Sequence, residues 1–266
     1  MNDGEAWRMP QYGAEHGSAL LVIVLVSVLC ILLARRSQDT AAVERAARTC
    51  GWALLVVSTV WTVWALLPMN WILQESLPFH FSDASRFLAA IALITRSRWS
   101  IAILYYWGLT LNLQSILTPD LNYLYFEALE YLMYWLLHGA VLIAPIVLVW
   151  GLGYRPTWRG YAAALAATGL WAGNAYVVNV LTGANYSYVS GGPKGSSLLD
   201  VLGEWPIYLL SVAGLMIVVW GLMTWPWERR RTTNPTSRAD RFGLVHRAGH
   251  HARTPADASG QLAPQR

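Results

Sequence analysis

Apolar and polar positions alternate along this chain in long blocks, not in the short periods of a soluble fold. Seven blocks are apolar over most of their length: Ser18–Leu33, Cys50–Leu67, Phe79–Thr95, Trp99–Leu117, Leu124–Trp150, Tyr161–Leu181 and Ile207–Trp225. A helix needs about 20 such residues to cross a bilayer. The pattern predicts an all-α fold, a polytopic membrane helix bundle with seven transmembrane helices. The first block is the shortest. It extends back through Ala14 and has no small-residue cleavage site before Arg35–Arg36, so it reads as a span or signal anchor and not as a cleaved signal peptide.

Charge in the connections predicts the direction of each span. The first connection carries Arg35, Arg36, Arg45 and Arg48, the third Arg96 and Arg98, the fifth Arg155 and Arg159. The second (Met69–Glu75) and fourth (Thr118–Tyr123) carry no Lys or Arg, and the sixth (Thr182–Pro206) has only Lys194. Basic segments stay on the cytoplasmic side, which puts the N-terminus outside and the C-terminus in the cytoplasm. A six-span arrangement would break the alternation. Rings that prefer the membrane–water boundary fall at both levels: Trp71, Tyr123, Tyr125 and Trp205 at the outer, Trp99, Trp150, Trp158, Trp225 and Trp227 at the inner. The division is then a short extracytoplasmic N-terminus (1–17), a transmembrane domain (18–227) and a disordered basic cytoplasmic tail (228–266).

Composition agrees. Hydrophobic residues make up 55% and charged residues 13%, with mean hydropathy +0.36; soluble domains run at about 45–50% and about 25%. The net charge of +4 comes from arginines concentrated in connections and tail, so no nucleic-acid partner is expected. Membrane lipids are the expected partners in a multi-pass protein of the cell membrane. The tail suits anionic headgroups, against the plainer reading of a solvated tail whose arginines only set topology. Cys30 and Cys50 cannot form a disulfide framework or metal site, and His246, His250 and His251 in the tail read as incidental. No cofactor or metal is expected, no fixed-period repeat is present, and no inverted-repeat transporter signature stands out.

Ionisable groups at membrane depth are costly and mark candidate sites. The third block holds His80, Ser82, Asp83 and Arg86, with Ser76 as the expected N-cap and Pro78 in the first turn. Ser82, Asp83 and Arg86 share a helical face; the alternative is an Asp–Arg pair that neutralises itself and pins one helix to another. The fifth block places Glu127, Glu130, Tyr131, Tyr134 and His138 on one stripe, facing either a cavity or a neighbouring helix. Asn112 and Ser115 share a face of the fourth block with Tyr105 and Gly108, and Gln114 is expected to point elsewhere. In the sixth block Thr168, Ala175, Asn179 and Thr182 share a face, for which close packing is the alternative. With the predicted orientation these groups gather in the outer halves of the spans. The implication is a polar cavity open to the outer leaflet, not a pore, which would need polar lining along its whole length. The long connection with Asn185, Tyr186 and Lys194 reads as a lid or as a plain loop.

Pro78–Phe79–His80–Phe81–Ser82–Asp83 resembles the Pro-Leu-His-Leu-Cys-Asp motif of the YwaF-like bacterial integral membrane family, itself similar to the transmembrane protein 164 family. Three further blocks are similar in order: Tyr134–Trp135–Leu136–Leu137–His138 with Pro145; Asn179 with Gly183–Ala184–Asn185–Tyr186–Ser187–Tyr188; and Gly203–Glu204–Trp205–Pro206–Ile207–Tyr208. The resemblance covers roughly 50–225. It implies a multi-pass membrane protein and, from the transmembrane protein 164 branch, a phospholipid acyltransferase using a cysteine and a histidine. Those positions fall on Ser82 and His138, so the sequence departs from the family at the nucleophile. Ser82 and His138 would then act as nucleophile and base, with Asn112, Asn179 or Tyr134 as oxyanion donors, Asp83 or Glu130 orienting the imidazole, and Arg86 holding a lipid phosphate. His80 is the other candidate base, although a regular helix would turn it away from Ser82. The competing reading is a non-enzymatic lipid or small-molecule binder or transporter. A haem or metal protein using His80 and His138 ranks last.

Overall fold

The computed structural model describes residues 7–119, 121–123, 126–193 and 198–233. Among these, seven helical rods form the fold. They are α1 (Ala14–Arg36), α2 (Thr40–Leu66), α3 (Phe81–Thr95), α4 (98–117), α5 (Glu127–Gly151), α6 (Trp158–Thr182) and α7 (Ile207–Thr233). Five of them, α1, α2, α5, α6 and α7, are long and apolar enough to cross a membrane. The described residues are helical apart from the connecting segments and a two-residue antiparallel pairing of Trp7–Arg8 with Asn122–Tyr123.

Glycines let the rods approach closely. A Cβ on Gly51 of α2 would fall 2.8–2.9 Å from Ile94 and Leu93 of α3. One on Gly108 of α4 would fall 2.6 Å from the Val141 carbonyl of α5. Gly160 of α6 meets Ala102 of α4 in the same way, and Gly139 and Gly151 of α5 face Ile23 and Ala34 of α1. Small residues at such crossings are how helices pack where lipid removes the hydrophobic drive between them. The rest of α1 is a jacket: Leu21, Val22, Leu25, Leu29 and Leu33 are exposed, as residues facing acyl chains would be.

Two helices are irregular. α4 passes through a π-helical turn at Trp107–Leu111, and α5 ends in one at Val147–Gly151 just after Pro145. A π turn inserts one extra residue and rotates everything beyond it relative to a regular helix. The rods alternate in direction, so the end holding Arg35, Arg48, Arg96, Arg98, Arg155 and Arg159 lies opposite the end formed by 67–80, 118–126 and 183–206. The Arg-rich half contains the main core of Ile101, Leu104, Tyr106, Leu148, Leu152 and Trp220. There Tyr106 stacks on Trp220 and its hydroxyl meets that of Thr224 at 2.7 Å.

Several boundaries differ from expectation. α2 starts at Thr40, ten residues before its apolar block, so Arg45 and Arg48 lie in the helix and not in a connection, and α7 runs on to Thr233. The third helix starts at Phe81, not near Ser76. Ser76 instead organises the preceding turn, its hydroxyl accepting from Ile72 N at 2.9 Å and donating to Asn70 O. The residue before α3 is His80 in an extended conformation (φ −72°, ψ 151°), with Asp83 Oδ2 accepting its backbone N–H at 3.0 Å. The fifth helix starts at Glu127, three residues later than the apolar block suggests.

Candidate functional site

A cavity of about 1380 Å³ opens in the Arg-poor half, between α3, α4, α5, α6 and α7. A recess of about 210 Å³ toward α2 shares Trp61, Glu75, Ser82, Arg86, Asn112, Tyr134 and His138 with it, so the two are lobes of one space. Ligand pockets commonly run at about 300–1,000 Å³. The wall toward α6 and α7 is mostly apolar or small (Leu165, Gly169, Ala172, Gly173, Val212, Ala213, Met216), and the polar groups converge on the opposite wall.

α3 supplies Ser82, Asp83 and Arg86 from its first turns, and His80 is the extended residue just before it. Ser82 lines both lobes, and its hydroxyl makes no hydrogen bond to another described residue. Arg86 is 8% exposed. Its Nη1 lies 3.0 Å from Asp83 Oδ1, its Nη2 donates to Thr62 Oγ1 at 2.8 Å, and its Nε is buried without a partner. The self-neutralised pair and the cavity reading thus describe the same residues: Arg86 ties α3 to α2 while its side chain lines the space.

α5 supplies Glu130, Tyr134 and His138, at i, i+4 and i+8 on one face. The stripe is narrower than the spacing suggested. Tyr131 turns toward α1, where its hydroxyl donates to Glu15 O at 3.1 Å, and Glu127 is exposed at the helix start. The His138 ring lies 4.1 Å from that of Tyr134, and its Nδ1 is 2.8 Å from the Tyr134 carbonyl. A carbonyl only accepts, so Nδ1 carries the proton and Nε2 keeps its lone pair. A backbone carbonyl therefore orients the imidazole, not Asp83 or Glu130. Ser82 and His138 share the cavity without a direct hydrogen bond between them.

The expected oxyanion donors are engaged elsewhere. Asn112 Nδ2 donates to the His138 carbonyl at 3.0 Å, which fixes the amide orientation and leaves Oδ1 buried and unpartnered. The Tyr134 hydroxyl donates to Ser115 O at 2.6 Å. Asn179 lies outside the cavity lining: its Nδ2 donates to Tyr186 O and Ser190 Oγ, and its Oδ1 accepts from Tyr186 N at 2.7 Å. Asn185 ties Gly191 O and Ser190 N within the same loop. Tyr186 is fully buried, and its hydroxyl contacts Leu73 O and Leu77 N. These three residues hold the 183–190 loop over the cavity mouth, where Ser187, Tyr188 and Val189 line it. Lys194 lies outside the described residues.

Several lining residues escaped the sequence reading. Gln114 faces the cavity together with Asn112, Ser115 and Thr118, against the expectation that it points elsewhere. Thr62 lies outside the lining and holds Arg86; it had no signal beyond a lone hydroxyl in an apolar helix. Tyr208 sits in the recognised Gly203–Tyr208 block; it lines the cavity and its hydroxyl donates to Tyr188 O. Among the described residues no cluster of His, Cys, Asp and Glu is arranged to hold a metal ion.

These features define a helical membrane protein with a polar cavity in one half of its bundle. The chain belongs to the TMEM164 family, whose model matches residues 11–224. It is 29% identical over 213 residues to an uncharacterized protein of Treponema pallidum (strain Nichols), covering 79% of this chain and 86% of that one. No solved structure matches.

Proposed function

We propose that the protein crosses the membrane seven times, N-terminus outside, and binds a membrane lipid in the cavity, presenting an acyl ester to Ser82 with His138 as general base. The seven rods and the alternation of Arg-rich and Arg-poor connections support the topology. α3 is the shortest rod, at about 22 Å for a rise of about 1.5 Å per residue. The 67–80 segment completes that crossing; irregular backbone is tolerated at depth where protein or a cavity covers it.

One observation carries the chemistry: Ser82 and His138 line the same space, and the imidazole presents its basic nitrogen because Nδ1 is held by Tyr134. Ser82 is also the second residue of α3, among the first backbone N–H groups that a helix leaves without an internal partner. The apolar α6–α7 wall suits acyl chains, and the polar wall suits a headgroup. The missing Ser82–His138 hydrogen bond favours one second reading, a non-enzymatic lipid binder. Catalytic hydrogen bonds are often long until substrate is present, so labelling decides. A fluorophosphonate probe should label the wild-type protein in detergent, fail on Ser82→Ala, and react about a hundredfold or more slowly with His138→Ala. Equal labelling of wild type and Ser82→Ala removes the enzymatic reading, whereas bound lipid with no labelling leaves the binder.

A further inference from the structure

We propose that His80 is a catalytic hydrogen-bond donor, its Nε2–H aimed at the carbonyl oxygen of a lipid acyl ester held at Ser82. This deepens the acyl-transfer reading and rests on it.

The argument begins with the start of α3. Inside a regular helix His80 and Ser82 would point about 200° apart, at about 100° per residue. His80 is not helical. As the extended residue before Phe81 it escapes that geometry, and both side chains line the same cavity. Its tautomer is also set. Ser187 N–H donates to His80 Nδ1 at 3.3 Å, and a backbone N–H can only donate. In the neutral ring the proton therefore sits on Nε2, which bonds to no other described residue. Tyr186 and Tyr188 flank the ring at 5.3 and 5.6 Å and fix its plane.

The other two described histidines give the contrast. His16 has the same tautomer, but both nitrogens are engaged: Nδ1 accepts from Tyr12 N at 3.1 Å and Nε2 donates to Ile116 O at 2.8 Å. It is 2% exposed and stacked on Trp135, a structural histidine. His138 has the opposite tautomer. The cavity thus holds one imidazole presenting a lone pair and one presenting an N–H, the two complementary needs of acyl transfer.

The step balances without a further reagent. Ser82 Oγ bonds to the ester carbon as its proton passes to His138 Nε2. The carbonyl π pair moves onto oxygen and is met by the His80 N–H. On collapse the ester C–O bond breaks, and the proton on His138 goes to the departing alkoxide. His80 neither gains nor loses a proton. Asn179 and Tyr186, by pinning the loop that carries Ser187, are positioning residues.

Two substitutions separate donor from anchor. His80→Asn keeps a carbonyl oxygen near the Nδ1 position for Ser187 N–H but has no group at Nε2. His80→Gln keeps an N–H near Nε2 and gives up the anchor. The readout is the fluorophosphonate labelling rate, with Ser82→Ala alongside and thermal midpoints in detergent as the folding control. The expected result is a loss of about a hundredfold in His80→Asn and a loss of about tenfold or less in His80→Gln. Wild-type rates in both variants, equal losses in both, or the reverse order with Asn faster than Gln would each overturn the donor role while Ser82-dependent labelling stands. Labelling that survives Ser82→Ala overturns the acyl-transfer reading itself, and this inference with it.

Discussion

The two halves of the bundle are built from the same helices and solve different problems. In the Arg-rich half the rods close on glycines, and Tyr106, Leu148 and Trp220 are fully buried. In the other half α6 and α7 stand apart, and a Cβ on Gly169 or Gly173 would meet nothing within 4 Å. Polar groups do not divide as cleanly, since Arg96 Nη1 and Nη2 at the Arg-rich end are also buried without partners. Tyr106 and Thr224 satisfy each other in the packed half. In the open half Arg86 Nε and Asn112 Oδ1 are buried without partners. An unmade hydrogen bond at a buried group costs about 1–3 kcal/mol.

Three experiments sharpen or break this contrast. The largest effect is expected at Arg86. Arg86→Ala leaves the half-buried Asp83 beside no counter-charge and should lower stability by up to about 3–5 kcal/mol, read as a fall in the denaturation midpoint in detergent. Arg86→Met combined with Asp83→Asn should recover most of the loss, because the charge is removed from both partners and the remaining carboxamide oxygen still accepts from His80 N. Failure of the double variant to recover would place the importance of Arg86 outside the pair.

The next effect compares two glycines. Gly108→Ala forces a Cβ to within 2.6 Å of the Val141 carbonyl and 3.0 Å of Pro145 Cγ. Overpacking of this kind costs about 1–3 kcal/mol. Gly173→Ala enters open space and should be neutral, or stabilising by up to about 1 kcal/mol through helix propensity. Similar midpoints for the two variants would mean the halves are not packed differently.

Much of the fold was legible in the sequence because its signals are local. Apolar blocks long enough for a span, separated by arginines, mark the rods, and helices do form within all seven blocks. The polar positions Ser82, Arg86, Asn112, Glu130, Tyr134 and His138 were equally visible, since polar groups in apolar runs stand out. What stayed hidden depends on backbone irregularity. No periodicity announces the π turns in α4 and α5. Nothing in Pro78–Asp83 says that the helix waits until Phe81, which leaves His80 extended and lining the same cavity as Ser82. Asn179 read as a cavity group because it is polar in a span; its partner is a loop seven residues on, and a side-chain amide gives no hint of which backbone it will clamp.

The smallest perturbation tests the central claim, that the open half holds a membrane lipid beside Ser82. Ala213 is half-buried and lines the cavity from α7, so Ala213→Trp adds bulk inside the space with little cost to the packed half. Native mass spectrometry of the detergent-purified protein should find a phospholipid retained by the wild type and lost, or reduced about tenfold, in Ala213→Trp at an unchanged thermal midpoint (about 1.4 kcal/mol of binding per factor of ten). A wild-type protein without lipid, or undiminished retention in a folded Ala213→Trp variant, would contradict the account.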